Sequence, residues 1–191
     1  MKKQVVASAV VGAVAVAIVA AQFWPTAEPV PTPTPGQTTV PTIQTGHLEV
    51  YQFPETADSR GWAFQIPVPA WPSDHAGERA TYTEPGGRLT LQTDRVPLEQ
   101  EDPLSGLQAL AKKNQDPGYH LTSLAEHAPV GSNDAAEWDF TYQRDGVARQ
   151  VRLVGVGVGE VLITIRFEAP QPEFEANQGV LGEALKVADP G

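Results

Sequence analysis

The chain has 191 residues, of which 13 are Lys or Arg and 23 are Asp or Glu, so its formal net charge at pH 7 is −10. All acidic residues follow Trp24, so the part of the chain after it has an acidic surface. Because such a surface repels the phosphates of nucleic acids, we expect no nucleic-acid partner. Cysteine is absent, which excludes disulfides, thiolate metal sites, a cysteine nucleophile and attachment through a lipid-modified cysteine.

Residues 1–24 predict a signal anchor, that is, a transmembrane segment that also directs export. Lys2 and Lys3 precede an uncharged apolar run, and Val5 to Trp24 is 20 residues long, about 30 Å of helix at ~1.5 Å per residue, which matches a bilayer core. The lysines favour a cytoplasmic N-terminus, so we expect a single-pass protein of the cell membrane whose C-terminal domain lies outside the cytoplasm. The small residues up to Ala21 leave one alternative, a protein secreted after cleavage at that point.

Residues 25–45 predict an extended linker. The segment contains six prolines and seven threonines, and proline fixes φ and lacks a backbone donor, so a polyproline conformation is favoured over helix or strand. At ~3.1 Å per residue the linker reaches at most about 65 Å. We therefore expect a stalk that carries a domain formed by residues 46–191.

In the first half of this domain, apolar and polar residues alternate with the two-residue period of a β-strand. One apolar face of GWAFQIPVP would comprise Trp62, Phe64, Ile66 and Val68. The glycine turn in TEPGGRLT predicts a hairpin of Ala80–Thr83 with Arg88–Val96. Tyr119–Leu124 predicts a further strand.

The clearest pattern is a C-terminal meander. AEWDFTY places Trp138, Phe140 and Tyr142 on one face, and we expect Trp138 and Phe140 to be part of the core. RDG follows as a turn, and VARQVRLVGV returns as the next strand. Asp145-Gly146 is a pair that type I′ turns favour, because both central residues of that turn need a positive φ. EVLITIRFEA adds a third strand after Gly159. Three strands joined by short turns predict antiparallel pairing.

Two segments have helical spacing instead. DPLSGLQALAKKNQ begins with Asp102 as N-cap and Pro103 at the first helical position, and its apolar stripe is Leu104, Leu107, Leu110 and Ala111. PEFEANQGVLGEALKVA predicts a second helix, whose stripe is Phe174, Leu181 and Leu185. The fold class is therefore α+β, an antiparallel sheet of about six to seven strands with two packing helices.

The segments GWAFQIPVPAWP, YTEPGGRLTLQT, DPLSGLQALAKKNQDPGY and AAEWDFTYQRDGVARQVR together resemble a domain of high-GC bacteria. That domain lies outside the membrane on single-span proteins and on receptor-type serine/threonine protein kinases. The resemblance covers about Gly61 to Val187 and implies a PsbP-like fold of the LpqN type, an antiparallel sheet flanked by helices. Its motifs are structural, such as the PGG turn at Pro85 and the E-W-x-F-x-Y strand from Glu137. Since the sequence has no Gly-rich kinase loop, H-R-D or D-F-G motif, we expect the outer module without a kinase domain.

The sequence offers no catalytic or metal-binding motif. Its histidines form no H-x-H or H-E-x-x-H pair, and we expect them at the surface: His47, His75, His120 and His127. The alternative, an enzyme, requires His127, Glu137 and Glu99 to converge in one cleft. We expect no enzyme activity, no cofactor and no metal.

Trp71 is the residue that we expect to contact a ligand or partner. It follows Pro69-Ala70 and precedes Pro72 in a loop, where an indole suits recognition; the alternative is that it plugs the open end of the sheet. The interpretation is a membrane-tethered, extracytoplasmic binding module with a partner protein in the membrane or cell wall. Two alternatives are a carrier of lipid or another apolar molecule, which predicts a sizeable apolar cavity between sheet and helices, and an accessory sensor that acts through a membrane partner.

Overall fold

The computed structural model describes residues 48–53, 65–98 and 102–187. The strands in these ranges are β1 (Leu48–Gln52), β2 (Gln65–Pro69), β3 (Ser73–Ala76), β4 (Arg79–Thr83), β5 (Thr90–Pro97), β6 (His120–Val130), β7 (Asn133–Arg144), β8 (Val147–Val158) and β9 (Val161–Pro170). The helices are α1 (Pro103–Lys113), α2 (Phe174–Asn177) and α3 (Gly179–Ala184), and a 3-10 turn (Gln171–Glu173) precedes α2.

Strands β3 to β9 form one sheet of seven strands in the order β3-β4-β5-β9-β8-β7-β6. Every neighbouring pair is antiparallel, and β1 pairs with β2 in a separate antiparallel ribbon. This arrangement confirms the predicted α+β class and the antiparallel sheet. The hairpin of β4 and β5 is confirmed as well, with Tyr82 opposite Leu91.

The predicted meander is present and includes β6 as a fourth strand. Asp145 and Gly146 join β7 to β8 and have φ angles of 52° and 76°, as the type I′ pattern requires. Two short strands, β1 and β3, were not predicted from the sequence. Most of their side chains are exposed, so neither strand shows the alternation of buried and exposed residues on which a prediction depends.

One side of the sheet, here called the apolar face, is fully packed. The ribbon of β1 and β2 and the helices α2 and α3 cover it, and its core includes Phe53, Ile66, Val68, Leu91, Val154, Ile165, Phe167 and Phe174. Ile66 and Val68 are buried on one face of β2, as predicted. Trp62 and Phe64, predicted for the same face, lie outside the described residues.

The opposite side, here called the groove face, is covered at one end by α1. Its core joins Leu107 of α1 to side chains of the meander, namely Ala136, Trp138, Phe140, Tyr142, Val151, Leu153 and Leu162. Gly155 and Gly157 of β8 let α1 approach closely, since a Cβ at these positions would lie 3.0 Å from Leu107 Cδ2 and 2.8 Å from Pro103 Cγ, respectively.

The start of α1 matches its prediction. Asp102 is the N-cap and accepts a hydrogen bond of 2.8 Å from the backbone N–H of Ser105, while Pro103 occupies the first turn. That hydrogen bond is the main reason why the pKa of Asp102 is lowered. Lys112 and Lys113 lie in the last turn, where the helix dipole stabilises positive charges.

The prediction of one continuous second helix is wrong, because the segment forms a 3-10 turn followed by the two short helices α2 and α3. Asn177 Nδ2 donates to the carbonyl oxygen of Glu173 at 2.9 Å, and Gln178 separates the two helices. Side chains of this type compete with helical backbone hydrogen bonds, and Gly179 weakens continuation further. Phe174 and Leu181 are nevertheless buried, and Leu185 packs against the same core.

The predicted membrane segment (residues 1–24) and linker (residues 25–45) lie outside the described residues. Among the helices of the described ranges, none is both long and apolar enough to span a membrane.

Candidate functional site

Trp71, the predicted contact residue, lies in the loop between β2 and β3. Its backbone N–H donates to the carbonyl oxygen of Pro69 at 2.7 Å, and the carbonyl oxygen of Pro72 accepts from Thr83 at 2.9 Å, so the loop is held to the sheet. The indole is half-buried and packs against the apolar-face core. The role of Trp71 in contacting a ligand or partner stays a prediction.

Of the residues required by the enzyme alternative, the structure brings two near each other. His127 Nε2 lies 4.0 Å from Glu137 Oε2, and the other ring nitrogen lies 2.6 Å from the carbonyl oxygen of Ala128. Glu137 also pairs with Arg152 at 3.5 Å. Glu99 lies outside the described residues, and in the described ranges no three His, Asp or Glu side chains are grouped as metal ligands.

A cleft of about 340 Å³ lies beside His127, at the N-terminal end of α1. Its lining includes three acidic residues, Asp102, Glu126 and Asp134. Asp102 is already engaged as the helix cap, and Glu137 does not line the cleft. The cleft therefore does not join His127 to Glu137, the pair that the enzyme alternative requires in one cleft.

The more promising feature is the sheet groove, a concavity of about 320 Å³ on the groove face. Its floor is formed by strand residues of mixed polarity, Val96, Trp138, Leu153 and Thr164. One wall is the C-terminal end of α1 with the residues after it, including Leu110, Lys113 and Asp116, and the other wall contains Arg79, Gln92 and Asp94. A floor that is mostly apolar, with a few polar groups on the rim, is the general character of a ligand site.

Polar groups of the groove are held in fixed positions by their neighbours. Arg79 Nε donates to Asp94 Oδ2 at 3.0 Å, and Gln92 Nε2 donates to Thr81 Oγ1 at 3.1 Å. The indole N–H of Trp138 donates to the hydroxyl of Tyr119 at 3.2 Å. Trp138 was predicted as core, and its burial confirms that prediction, although it also borders the groove.

A second feature on the groove face is the guanidinium cluster, formed by Arg144, Arg149 and Arg166 around Glu168. Arg144 Nη2 and Arg149 Nε lie 2.9 and 2.8 Å from Glu168 Oε1, and Arg166 Nη2 lies 2.7 Å from Oε2. Oε2 accepts no well-aligned hydrogen bond among the described residues, so the Arg166 contact is chiefly Coulombic. The Glu168 side chain is only 1% exposed.

The guanidinium cluster keeps its carboxylate ionised. Burial alone would raise the pKa of Glu168, but the charges of Arg166, Arg144 and Arg149 and a hydrogen bond from Tyr142 hold that pKa below its ordinary value. Burial and the nearby Glu168 charge raise the pKa of Tyr142, so its hydroxyl remains a donor at neutral pH.

The apolar face carries a contrasting charge network around Arg152. Its Nε and Nη2 donate to both oxygens of Asp139 at 2.9 and 2.7 Å, and Nη1 donates to Gln178 at 3.1 Å. The hydrogen bond to Asp139 is the main cause that raises the pKa of Arg152. This guanidinium also lies over the Phe174 ring at 5.7 Å, so the network anchors α2 and the residue after it to the sheet.

Neither the sheet groove nor the guanidinium cluster was predicted from the sequence. The residues of the cluster come from three strands, and those of the groove come from several strands and from α1, so only the folded arrangement brings them together. One signal was present, since Arg166 and Glu168 interrupt the otherwise apolar strand VLITIRFEAP. A buried strand with charges on one side indicates a polar or functional face.

A family described as the serine/threonine kinase C-terminal domain matches residues 56–187. A search of curated proteins found no significant match.

Solved structures share the fold at low identity. LpqN, described as involved in cell envelope biogenesis of Mycobacterium tuberculosis, is 16% identical over 82% of this chain and 100% of its own, with a TM-score of 0.52. Cyanobacterial PsbP (CyanoP) from Synechocystis is 11% identical over 74% of this chain and 91% of its own, with a TM-score of 0.54. A Pseudomonas aeruginosa protein of unknown function is 17% identical over 76% of this chain and 99% of its own, with a TM-score of 0.50. These matches confirm the predicted resemblance to a kinase-associated domain and to the PsbP-like and LpqN-type fold.

Proposed function

The chain belongs to the serine/threonine kinase C-terminal domain family, and from that premise we propose that it is an extracytoplasmic binding module without catalytic activity. The sheet groove receives the ligand or the interacting group of a partner. LpqN, which shares the fold, is described as involved in cell envelope biogenesis, and that description supports a location at the envelope.

The geometry of the sheet groove carries this proposal. Trp138 and Leu153 offer apolar surface at its floor, while Gln92, Asp94 and Lys113 provide donors and acceptors at its rim. Its volume of about 320 Å³ lies at the lower end of the range of about 300–1,000 Å³ that ligand pockets occupy. This size suits a small polar group, such as one sugar unit or one side chain of a partner, with one apolar side.

Binding is favoured over catalysis because the two carboxylates that line the groove, Asp94 and Asp116, accept hydrogen bonds from Arg79 and Asn114. Asp94 pairs with Arg79 at 3.0 Å, and His127 and Glu137 face the ion pairs of Arg152 rather than the groove. A general acid or base needs a proton partner within reach of a bound substrate. The described residues of the groove include no histidine.

A small ligand is favoured over a lipid as cargo because side chains fill the layer between the sheet and helices α2 and α3. Phe167 and Phe174 pack there with ring centroids 5.4 Å apart. The cavities of about 190, 320 and 340 Å³ lie beside α1 and open to solvent. A lipid carrier would instead need an enclosed apolar space that holds an acyl chain.

The membrane tether and the contact role of Trp71 are parts of the same proposal. The anchor of residues 1–24 and the linker of residues 25–45 would hold the module away from the bilayer, where Trp71 adds a second contact to a protein of the membrane or wall. Signalling as an accessory sensor would pass through a partner helix. A C-terminal alkaline phosphatase fusion should be active only if the domain is exported, and activity confined to a cytoplasmic reporter contradicts the tether.

Photo-crosslinking in the native membrane tests the groove. A benzoylphenylalanine placed at Gln92 of the full-length chain should give a light-dependent mass increase, because Gln92 lies on the groove wall. The matched control is the same residue at Lys186, which is exposed beyond α3 on the other side of the sheet. Equal labelling at both positions, or none at Gln92, rejects the groove as the binding site.

A further inference from the structure

We propose that the guanidinium cluster of Arg144, Arg149 and Arg166 is an oxyanion-binding site, which receives the anionic group of the ligand whose body occupies the sheet groove. This inference rests on the proposed function and adds the chemical class of the ligand. The probe that represents this class is inorganic phosphate.

The first argument is the ratio of charges. In the part of the chain that the structure describes, three guanidinium groups share one carboxylate, Glu168, at 2.7 to 2.9 Å. The cluster thus carries a surplus of two positive charges in a chain whose formal net charge is −10. A local positive surplus on an acidic protein attracts an anion to one place and repels it from the rest of the surface.

The second argument is the contrast with the Arg152 network on the apolar face. There one guanidinium pairs with two carboxylates, Asp139 at 2.7 Å and Glu137 at 3.5 Å. That network needs no further anion. Structural ion pairing alone explains Arg152, but it leaves the second and third arginine at Glu168 without an equal negative charge.

The third argument is access. The side chains of Arg144 and Arg166 are 41% and 21% exposed, whereas those of Arg149 and Glu168 are 6% and 1% exposed. The buried pair therefore forms a base that holds the two outer guanidinium groups in place. Guanidinium groups fixed in this way bind phosphate or carboxylate oxygens through paired N–H donors with little loss of side-chain freedom.

The fourth argument is continuity with the sheet groove. Thr164, Arg166 and Glu168 occupy alternate positions on β9, so their side chains leave the same face of the sheet. Thr164 is part of the groove floor, and two residues of strand advance about 6.8 Å. A ligand in the groove thus needs an anionic group about 7 to 14 Å from Thr164 to reach the cluster.

Phosphate titration of the full-length protein in detergent tests this site, with calorimetry or amide chemical shifts as the measurement. Ionic strength is kept constant with chloride, because salt screens exposed charges. We expect saturable phosphate binding that is about tenfold weaker or more in Arg144→Gln and in Arg166→Gln, since hydrogen bonds to charged groups are among the stronger ones.

Lys186→Gln is the matched control. Lys186 is also an exposed cation, with a side chain that is 68% exposed, but it pairs one-to-one with Glu183 and does not line the sheet groove. Phosphate affinity should be unchanged in this variant, and circular dichroism should show that all three variants fold.

Each outcome of the titration decides the proposal. If the wild type does not bind phosphate, or if Lys186→Gln weakens phosphate binding as much as Arg144→Gln does, the oxyanion site is rejected. Crosslinking at Gln92 needs no phosphate, so groove labelling without phosphate binding rejects the oxyanion site alone. Loss of groove labelling rejects the proposed function itself.

Discussion

The two faces of the seven-stranded sheet are built from the same strands but differ in how they are closed. On β9, Ile163, Ile165 and Phe167 point to the apolar face and are at most 2% exposed. The alternate residues Thr164, Arg166 and Glu168 point to the groove face and bring polar groups under an incomplete cover of α1. The pleat thus lets one strand supply a packed core on one side and polar groups beside an open groove on the other.

This difference separates residues that stabilise the fold from residues that are available for binding. Apolar contacts on the apolar face are individually weak but numerous, so they contribute stability without chemical specificity. Charges on the groove face are costly to bury unless they are paired. Their presence beside an open groove is the observation on which the proposed binding role rests.

The largest expected effect is on the apolar face. Phe167 is fully buried against Phe174, so Phe167→Ala should lower the free energy of unfolding by about 3–5 kcal/mol. The control on the groove face is Gln92→Ala, which removes one partly buried hydrogen bond to Thr81 and should cost about 1 kcal/mol. Urea denaturation of both variants measures the contrast, and equal losses would contradict it.

Sequence patterns predicted the apolar face better than the groove face. In β4, β5 and β9, every second residue is apolar or buried and faces the apolar-face core, so each strand could be recognised separately. The alternating aromatic residues of β7 belong instead to the core under α1. The N-cap at Asp102 and the turn at Asp145-Gly146 are local signals of the same kind. The break at Gln178 was missed because it depends on a side-chain hydrogen bond from Asn177 rather than on periodicity.

The groove face could not be predicted because its site is assembled by pairing register. Arg149 lies opposite Pro170, and Val151 lies opposite Glu168; neither relation follows from spacing within one strand. Prediction of such a cluster requires strand order as well as strand positions. Trp71 was singled out by its local sequence, and the structure places it in a different part of the molecule from the sheet groove.

Acidification should weaken the groove face selectively through Glu168. The pKa of Glu168 is lowered in the folded protein. Its carboxylate therefore contributes fully to the free energy of unfolding above pH of about 4.3, the ordinary pKa of Glu. This contribution is lost as the pH falls from that value through the lower pKa of the folded state. Glu168→Gln should cost about 3 kcal/mol at neutral pH, at the low end for a broken buried ion pair because two of its arginines retain water contact.

Denaturation of both proteins between neutral pH and pH of about 3 measures this effect. The difference in unfolding free energy between wild type and Glu168→Gln should narrow as the pH falls below about 4.3. A difference that stays constant over this range would show that the Glu168 carboxylate is not stabilised by the guanidinium cluster.

The smallest of these effects concerns how closely α1 lies on the groove face. A Cβ at Gly155 would meet Leu107 Cδ2 at 3.0 Å and Leu162 Cδ1 at 3.1 Å, so Gly155→Ala should cost about 1–3 kcal/mol through overpacking. A Cβ at Gly182 in α3 would have no atom within 4 Å. Gly182→Ala should therefore raise the free energy of unfolding by about 0.5–1 kcal/mol, because alanine favours the helix. The thermal denaturation midpoints of the two variants should therefore shift in opposite directions.

Since α1 also forms one wall of the sheet groove, Gly155→Ala should reduce crosslinking at Gln92 as well, whereas Gly182→Ala should leave it unchanged.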